Sequence, residues 1–475
     1  MSDLPEFQRG LKQRHLNLIA LGGCIGSAYF LGSGYLLEQV GPFAFLAYLL
    51  GGFITYLTMM CLAELSVAVP GSGSFVRYAA RFVSPTWACG VGWSYWMNWV
   101  IYIPSECLAA GIIMNGLMPG VSEFIWAMLF GLLFTGINLV HVGAFGEVEF
   151  WLSIVKVIAL AGFSVFACLI WMGVLGDPTA TAGVALLTDN GGAFPHGWWV
   201  LLLNMVLLLV NFQGSEVIGL SAAESNDAER AVPRAFRTTI WRIAGLFVIP
   251  ILLVATLLPW QQGSLREVVF AQALEAHGLA SIGHLFTFVV LCAALSCANS
   301  GMYGTVRSLH ALAQNGMAPH YFSRLNKQRV PARATWATLA GIWIMLGVSH
   351  FFSATSLYQN LLAMSGFTGT ICWISICWSQ LRFRRELVRE VHSIDFLKVR
   401  TPLFPWFTHL GIWLQVLCLL AVLLNSQLRA AFYFGAPIMI IPMLIYAYLQ
   451  HRRPAPLLGE QTSSSKTIPP PSSTV

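Results

Sequence analysis

The chain has 475 residues, of which 57% are hydrophobic and only 10% are charged, and its formal net charge is +6 at pH 7. A soluble globular domain carries about 25% charged residues, so the composition excludes a soluble protein and indicates a surface covered by lipid.

The positive charge does not indicate a nucleic-acid partner, because the basic clusters occupy alternate loops and the termini. This positive-inside pattern places both termini in the cytoplasm. The clusters lie near residues 9–14, 77–81, 230–242, 324–333, 382–389 and 452–453.

Apolar segments of about 20 residues, the length that crosses a bilayer, follow a basic lead over residues 1–15. They are too continuously apolar to be strands of a membrane barrel, so they predict helices. We expect an all-α membrane protein with about twelve transmembrane helices, and a disordered cytoplasmic tail over residues 450–475. The segments lie near 16–36, 42–68, 86–116, 124–142, 149–173, 197–222, 237–259, 280–312, 334–350, 355–379, 403–425 and 429–449.

Two of these segments contain residues that interrupt a helix. The first reads GGCIGSA over residues 22–28, and each glycine in a helix interior costs about 1 kcal/mol relative to alanine. The sixth reads NFQGSE over residues 211–216, which places two amides, a glycine and a carboxylate within apolar sequence. Both stretches predict a break in the helix.

Broken helices within a membrane indicate a binding site. Non-helical backbone is tolerated there only where it is buried or lines a cavity. Its free N–H groups can bind a carboxylate and its free carbonyls an ammonium group, so the two breaks predict a site for a zwitterion. An alternative for the first break is close helix packing without a ligand, because Gly22 and Gly26 also form a G-x-x-x-G motif.

The breaks fall in segments one and six, which indicates two inverted repeats of five helices each. The repeats would cover residues 16–173 and 197–379, and the two remaining helices over 403–449 would be accessory. This is the LeuT-like arrangement of secondary transporters, in which the substrate lies between the broken helices.

Glu106 is a charged residue within an apolar segment, as are Lys156 and Glu216. A charge at the centre of a bilayer costs about 2.5–3.5 kcal/mol on insertion scales, so each is a candidate functional residue. Tyr95, Trp99 and Tyr102 lie at helical spacing on the same face. This face suits a cavity wall that holds an ammonium group or a proton, although a structural hydrogen bond is the alternative.

Lys156 and Glu216 are the next two candidates. Lys156 lies about 10 Å into the fifth segment, where it can either extend to the cytoplasmic face or titrate during transport. Glu216 follows the second break, and the expected role is capping of backbone N–H groups freed there.

The sequence contains no metalloprotease, nucleophile-elbow or phosphate-loop motif. Its ten cysteines have neither metal-binding nor redox spacing. We therefore expect no enzyme activity, no metal site and no cofactor.

Several motifs in this order and spacing resemble those of the amino acid permeases of the amino acid–polyamine–organocation superfamily, nearest to the S-methylmethionine and aromatic amino acid permeases. They are LKQRH at 11–15, LGGCIG at 21–26, GSGSF at 71–75, FGEVEFW at 145–151, GSE at 214–216, ALS at 294–296 and GMAP at 316–319. The resemblance covers nearly the whole chain. It implies import of an amino acid across the bacterial inner membrane, driven by the proton gradient, with no obligate protein partner.

The resemblance also implies roles for individual residues. The substrate carboxylate would bind the N–H groups of Gly26, Ser27 and Ala28, and its ammonium group would meet carbonyls near Gly23 and Phe212. Lys156 would stand where related carriers use a lysine instead of a sodium ion. Glu106 matches a glutamate that the aromatic amino acid permeases carry.

Three residues depart from the family pattern. Ala28 replaces a usual glycine, Val210 stands where many relatives have an aromatic gate, and Gln213 stands where they have a small residue. With Ile25 and Gly214, these residues complete the expected substrate site. Exchange, uniport and a non-transporting amino acid sensor remain alternatives to proton symport.

Overall fold

The computed structural model describes residues 24–69, 74–140, 145–177, 180, 182–189, 191–216, 244–326, 330–391 and 397–452. Within these ranges all regular secondary structure is helical, as the apolar segments predict. The lead over residues 1–15, Gly22, Gly23 and the tail beyond Arg452 lie outside the described residues.

Sixteen α-helices are described. In chain order they are α1 (Ser27–Phe30), α2 (Gly32–Val40), α3 (Ala44–Ala68), α4 (Ser74–Phe82), α5 (Pro85–Leu117), α6 (Glu123–Val140), α7 (Phe145–Trp171), α8 (Trp199–Leu203), α9 (Met205–Leu209), α10 (Ile249–Leu257), α11 (Val269–Glu275), α12 (Ala280–Gln314), α13 (Ala332–Val348), α14 (Ala354–Val391), α15 (Trp406–Ala421) and α16 (Ala430–Arg452). A π-helical turn, Ala244–Val248, precedes α10. Short 3-10 helices span Val184–Leu187, Val210–Phe212, Trp260–Gln262, His320–Ser323, Ser349–Phe351 and Val422–Leu424.

Eight of the described helices are long and apolar enough to cross a membrane, judged by length and composition. Two shorter apolar helices cover Glu123–Leu139 and Gly245–Leu257. Described helical residues fall within each of the twelve predicted apolar segments. The main difference in length is at the tenth, which was expected to end at residue 379, whereas α14 continues to Val391.

The helices differ in how deeply they are buried. In α5 and α14, 78% of the most apolar stretch is buried within the protein, compared with 17% in α16. α5 packs against α14, α12, α6 and α16, so α5 and α14 form the centre of the bundle. The outer helices expose large apolar side chains such as Ile158, Ile344 and Leu444, as expected of surfaces that contact lipid.

The central helix α5 begins at a defined cap and presents a polar face to the interior. The Ser84 hydroxyl accepts a hydrogen bond from the Trp87 N–H at 3.1 Å, which satisfies one of the free donors of the first turn. Further along, Asn98, Tyr102 and Glu106 recur every four residues, and all three are buried. The four-residue spacing places them on one face of the helix.

A buried ion pair joins α3 to the extended part of α14. Arg384 donates from Nε to Glu64 Oε1 at 2.5 Å and from Nη2 to Oε2 at 2.9 Å. The Thr401 N–H also donates to Glu64 Oε2, at 2.6 Å. Arg384 was counted in a basic loop cluster from its sequence position, but its side chain is only 4% exposed. Its role is therefore internal, since the charge is paired within the bundle.

Candidate functional site

The first helix break lies at Ile25 and Gly26. Gly26 has an extended backbone with φ −120° and ψ −166°, and α1 starts at the next residue, Ser27. Leu31 has helical backbone angles, so α1 and α2 form a single helix from residue 27 to residue 40. The break is fully enclosed by protein, because residues 25–28 are all buried.

The carboxylate of Glu106 occupies the start of α1. The Ser27 N–H donates to Glu106 Oε2 at 2.9 Å and to Oε1 at 3.2 Å. A Cβ atom at Gly26 would overlap with Glu106 Oε1 and the Tyr102 hydroxyl, so this close approach requires glycine. The N–H group that the resemblance assigns to the substrate carboxylate is thus bound by a carboxylate of the protein itself.

The second break follows the 3-10 helix Val210–Phe212. Gln213 is extended, and Gly214 has a φ of +101°, which residues with a side chain rarely adopt. The Gly214 N–H donates to both carboxylate oxygens of Glu216, at 3.1 and 3.0 Å. Trp373 Nε1 on α14 also donates to Glu216, at 3.2 Å. Glu216 therefore binds the backbone of its own break.

The two breaks are in contact with each other. The Cys24 thiol donates to the Phe212 carbonyl at 3.8 Å and lies 3.5 Å from the Ser215 hydroxyl. Next to this contact, a narrow gap separates α5 from the second break, and it is too small to hold a water molecule. Its lining residues are Asn98, Trp99, Tyr102, Val210 and Gln213.

The side chain of Gln213 presents an acceptor at this gap. Its Nε2 donates to the Gly366 carbonyl on α14 at 3.2 Å. Because that carbonyl can only accept, the amide group is held in this orientation. Gln213 Oε1 is buried and has no hydrogen-bond partner among the described residues. A buried acceptor without a donor is costly, so a ligand that supplies a donor would be stabilised here.

Two buried charges on α7 extend the site beyond the breaks. Lys156 is 1% exposed, and its ammonium group interacts electrostatically with Glu106 on α5 and with Glu149 on α7. Glu149 is 0% exposed and accepts from the Ser296 hydroxyl on α12 at 2.5 Å. Two helices, α5 and α7, therefore contribute to one group of buried charges, and α12 adds a hydroxyl group.

The structure brings together most of the predicted site residues that it describes, namely Ile25, Gly26, Ser27, Ala28, Glu106, Val210, Phe212, Gln213 and Gly214. Lys156 adjoins this set through its interaction with Glu106. Glu216 faces Trp373 on the other side of the second break. The predicted Gly23 and Gly22 lie outside the described residues.

Sequence reasoning missed Asn98 and Glu149 as site residues. The signal for Asn98 was its spacing of four residues from Tyr102, which puts both on one helical face. The signal for Glu149 was its spacing of seven residues from Lys156, or about two helical turns. In the sequence Glu149 stands out only as part of the FGEVEFW motif, because it lies at the edge of the apolar segment.

The fold and the site define a helical membrane protein with two broken helices that meet around a buried, charged site. The family model for amino acid permeases matches residues 15–457 of the chain. The protein therefore belongs to the amino acid permease family. It is a multi-pass membrane protein that moves amino acids across a membrane, and it is a transporter rather than an enzyme.

Several relatives are similar over nearly their whole length. The chain is 37% identical over 451 residues to the amino-acid permease RocE of Bacillus subtilis, covering 94% of this chain and 96% of the relative. It is 35% identical over 464 residues to the lysine-specific permease LysP of Escherichia coli, with 93% of each chain covered. The gamma-aminobutyric acid permease of Escherichia coli is 32% identical over 427 residues, with 90% of each covered.

The fold is also similar to that of a solved transporter structure. It is the manganese transporter of Eremococcus coleocola in complex with an aromatic bis-isothiourea substituted compound. The alignment covers 95% of this chain and 99% of the transporter, with a TM-score of 0.51 and 14% sequence identity. At this identity the likeness concerns the fold alone.

Proposed function

We propose that this permease imports an amino acid across the bacterial inner membrane by proton symport, with alternating access around the two helix breaks. The observation that carries the proposal is the hydrogen bond from the Ser27 N–H to the Glu106 carboxylate at 2.9 Å. The start of α1 already binds a carboxylate, and the partial positive charge of a helix N-terminus favours one. The carboxylate of an amino acid meets the same requirement.

Glu106 and the substrate carboxylate would compete for this N–H group. When the substrate binds, Glu106 gives up its hydrogen bond, and its carboxylate can then accept from the substrate ammonium or take up a proton. Lys156 interacts electrostatically with Glu106, so a displacement of Glu106 changes the charge that Lys156 experiences. In this scheme the site couples substrate binding to proton binding, and the proton gradient replaces any cofactor as the energy source.

The proposal includes the topology. The chain would cross the membrane twelve times with both termini in the cytoplasm, as the alternating basic clusters support. Residues 16–173 and 197–379 would form the two inverted repeats of a LeuT-like core, and the helices over 403–449 would be accessory. The offset of five segments between the two breaks supports this arrangement.

The gap beside the second break favours a substrate whose side chain carries a hydrogen-bond donor. Gln213 Oε1 is buried there without a donor among the described residues. An amine at the end of the substrate could donate to it. The names of two relatives, a lysine-specific permease and a gamma-aminobutyric acid permease, support a substrate with an amine of this kind.

The proposal is tested by uptake into proteoliposomes that contain the purified protein. The panel consists of labelled lysine, histidine, 4-aminobutyrate, phenylalanine and leucine, each with and without an inward proton gradient. We expect accumulation of an amine-bearing member that collapses when an uncoupler is added. Uptake that does not depend on the proton gradient would indicate exchange or uniport instead. A well-folded protein that takes up no member of the panel would contradict transport and favour a sensor.

A further inference from the structure

We propose that Glu149 passes the transported proton from Lys156 towards the cytoplasmic face, an inference that rests on the proton symport proposed above. Glu149 lies near the start of α7, seven residues before Lys156, so the two are about 10 Å apart along the helix axis. Both side chains are almost completely buried. In the proposed topology α7 begins at the cytoplasmic side, which places Glu149 between Lys156 and that side.

The contacts of Glu149 leave one of its two carboxylate oxygens available to bind a proton. Oε1 accepts from the Ser296 hydroxyl at 2.5 Å. Oε2 is buried and has no hydrogen-bond partner among the described residues. Ser300, one turn further along α12, interacts with the carboxyl group without reaching hydrogen-bond geometry. Serine hydroxyl groups both donate and accept, so α12 places two groups of this type beside the carboxyl.

The charges around Glu149 suit a group that alternates between two protonation states. Within the described part of the chain, no Lys or Arg lies within salt-bridge distance of it, and Lys156 is the charged group that interacts with it electrostatically. A buried carboxylate without a close cation is costly, whereas the neutral acid is not. The Lys156 charge favours the carboxylate form of Glu149. That attraction is lost when Lys156 gives up its proton, so Glu149 becomes easier to protonate at that moment.

The proposed step is a transfer of one proton from Lys156 to Glu149. The Lys156 side chain first moves within hydrogen-bond distance of Glu149, whose Oε2 has no partner among the described residues. The proton then leaves Nζ of Lys156, which becomes a neutral amine, and binds a carboxylate oxygen of Glu149, which becomes a neutral acid. Glu149 then releases the proton to water at the cytoplasmic end of α7 and returns to the carboxylate. Lys156 is left neutral, ready to take the next proton from the substrate side.

The test separates proton-driven accumulation from exchange, because exchange of labelled for unlabelled substrate completes the cycle without net proton release. It uses Glu149→Gln in proteoliposomes and whichever panel amino acid the wild type accumulates most. We expect accumulation by the variant to fall about 10-fold or more relative to wild type. Counterflow exchange should stay within about twofold of the wild-type rate. Ser296→Ala should slow accumulation in the same selective way.

A matched control is Glu390→Gln, which makes the same chemical change at an exposed carboxylate on α14 and should leave both rates unchanged. Wild-type accumulation in Glu149→Gln would overturn the inference, and so would an equal loss of accumulation and exchange, which would indicate a structural role. If the wild type itself shows no gradient-dependent accumulation, the proposed symport fails and this inference fails with it.

Discussion

Glu106 and the N–H of Ser27 form the contact on which substrate recognition depends in the proposed mechanism. The carboxylate receives this N–H at both oxygens and lies against Gly26, where a side chain would collide with it. A negative charge held at the start of α1 resists displacement. On this proposal a competing substrate has to bring a carboxylate of its own, so one N–H group would select for amino acids.

Replacing Glu106 with Gln tests this competition. The amide oxygen can still accept from Ser27, but it carries no charge and cannot take up a proton. We expect gradient-driven uptake to fall about 10-fold, equivalent to about 1.4 kcal/mol, while binding of the substrate, measured by its protection against thermal unfolding, is retained. Unchanged uptake at every pH would make Glu106 a purely structural residue.

Gln213 determines which side chains are accepted, if its unpaired Oε1 binds the substrate. Gln213→Met keeps the length of the side chain but removes the acceptor. We expect uptake of lysine to fall about 10-fold relative to norleucine, its apolar counterpart, because a lost buried hydrogen bond costs about 1–3 kcal/mol. The measurement is competition between the two amino acids in the same proteoliposomes.

The matched control for this prediction is Gln272→Met on α11. Gln272 also has a buried Oε1 without a partner among the described residues, but it does not line the gap. The Gln272→Met variant should leave the ratio of lysine to norleucine uptake unchanged. A wild type that prefers norleucine, or a Gln213→Met variant with the wild-type ratio, would contradict this role.

At the scale of secondary structure, the helix α14 determines the stability of the helix bundle. It runs from the site, where Gly366 binds Gln213 and Trp373 binds Glu216, to the buried pair of Arg384 and Glu64. This one helix therefore holds the second break at one end and is anchored to α3 at the other. Loosening the anchor should destabilise the bundle while leaving the chemistry of the site in place.

Arg384→Met removes the cation and leaves the Glu64 charge buried. Breaking one partner of a buried ion pair costs about 3–5 kcal/mol, so we expect a clear drop in the thermal unfolding temperature in detergent. The double variant Glu64→Gln with Arg384→Met should recover part of the loss, because it buries no charge. Arg385→Met, at the exposed neighbouring position, is the control and should unfold like the wild type. Equal unfolding temperatures for both single variants would show that the ion pair contributes nothing.

At the scale of the whole molecule, hydropathy was sufficient to predict an all-helical membrane protein and the positions of its apolar segments. The break sequences predicted where the helices are interrupted, and hence the candidate site, because glycine and amide residues within apolar sequence are a local signal. Arg384 and Glu149 were missed because their roles depend on partners on distant helices, at Glu64 and Ser296. The predicted tenth segment stops where the first charged residues begin, so it ends before α14 does. Local composition could not show that Arg384 is buried, because its burial depends on pairing with a residue on another helix.

The narrow gap between α5 and the second break has a consequence for the electrical behaviour of the membrane. A constriction without room for water interrupts any file of molecules along which protons could hop, and this one has no such room. Closed in this way, the gap between these described residues offers no water-filled path for protons. If the carrier is driven by the proton gradient as proposed, a closed gap of this kind would limit loss of that gradient through copies that carry no substrate.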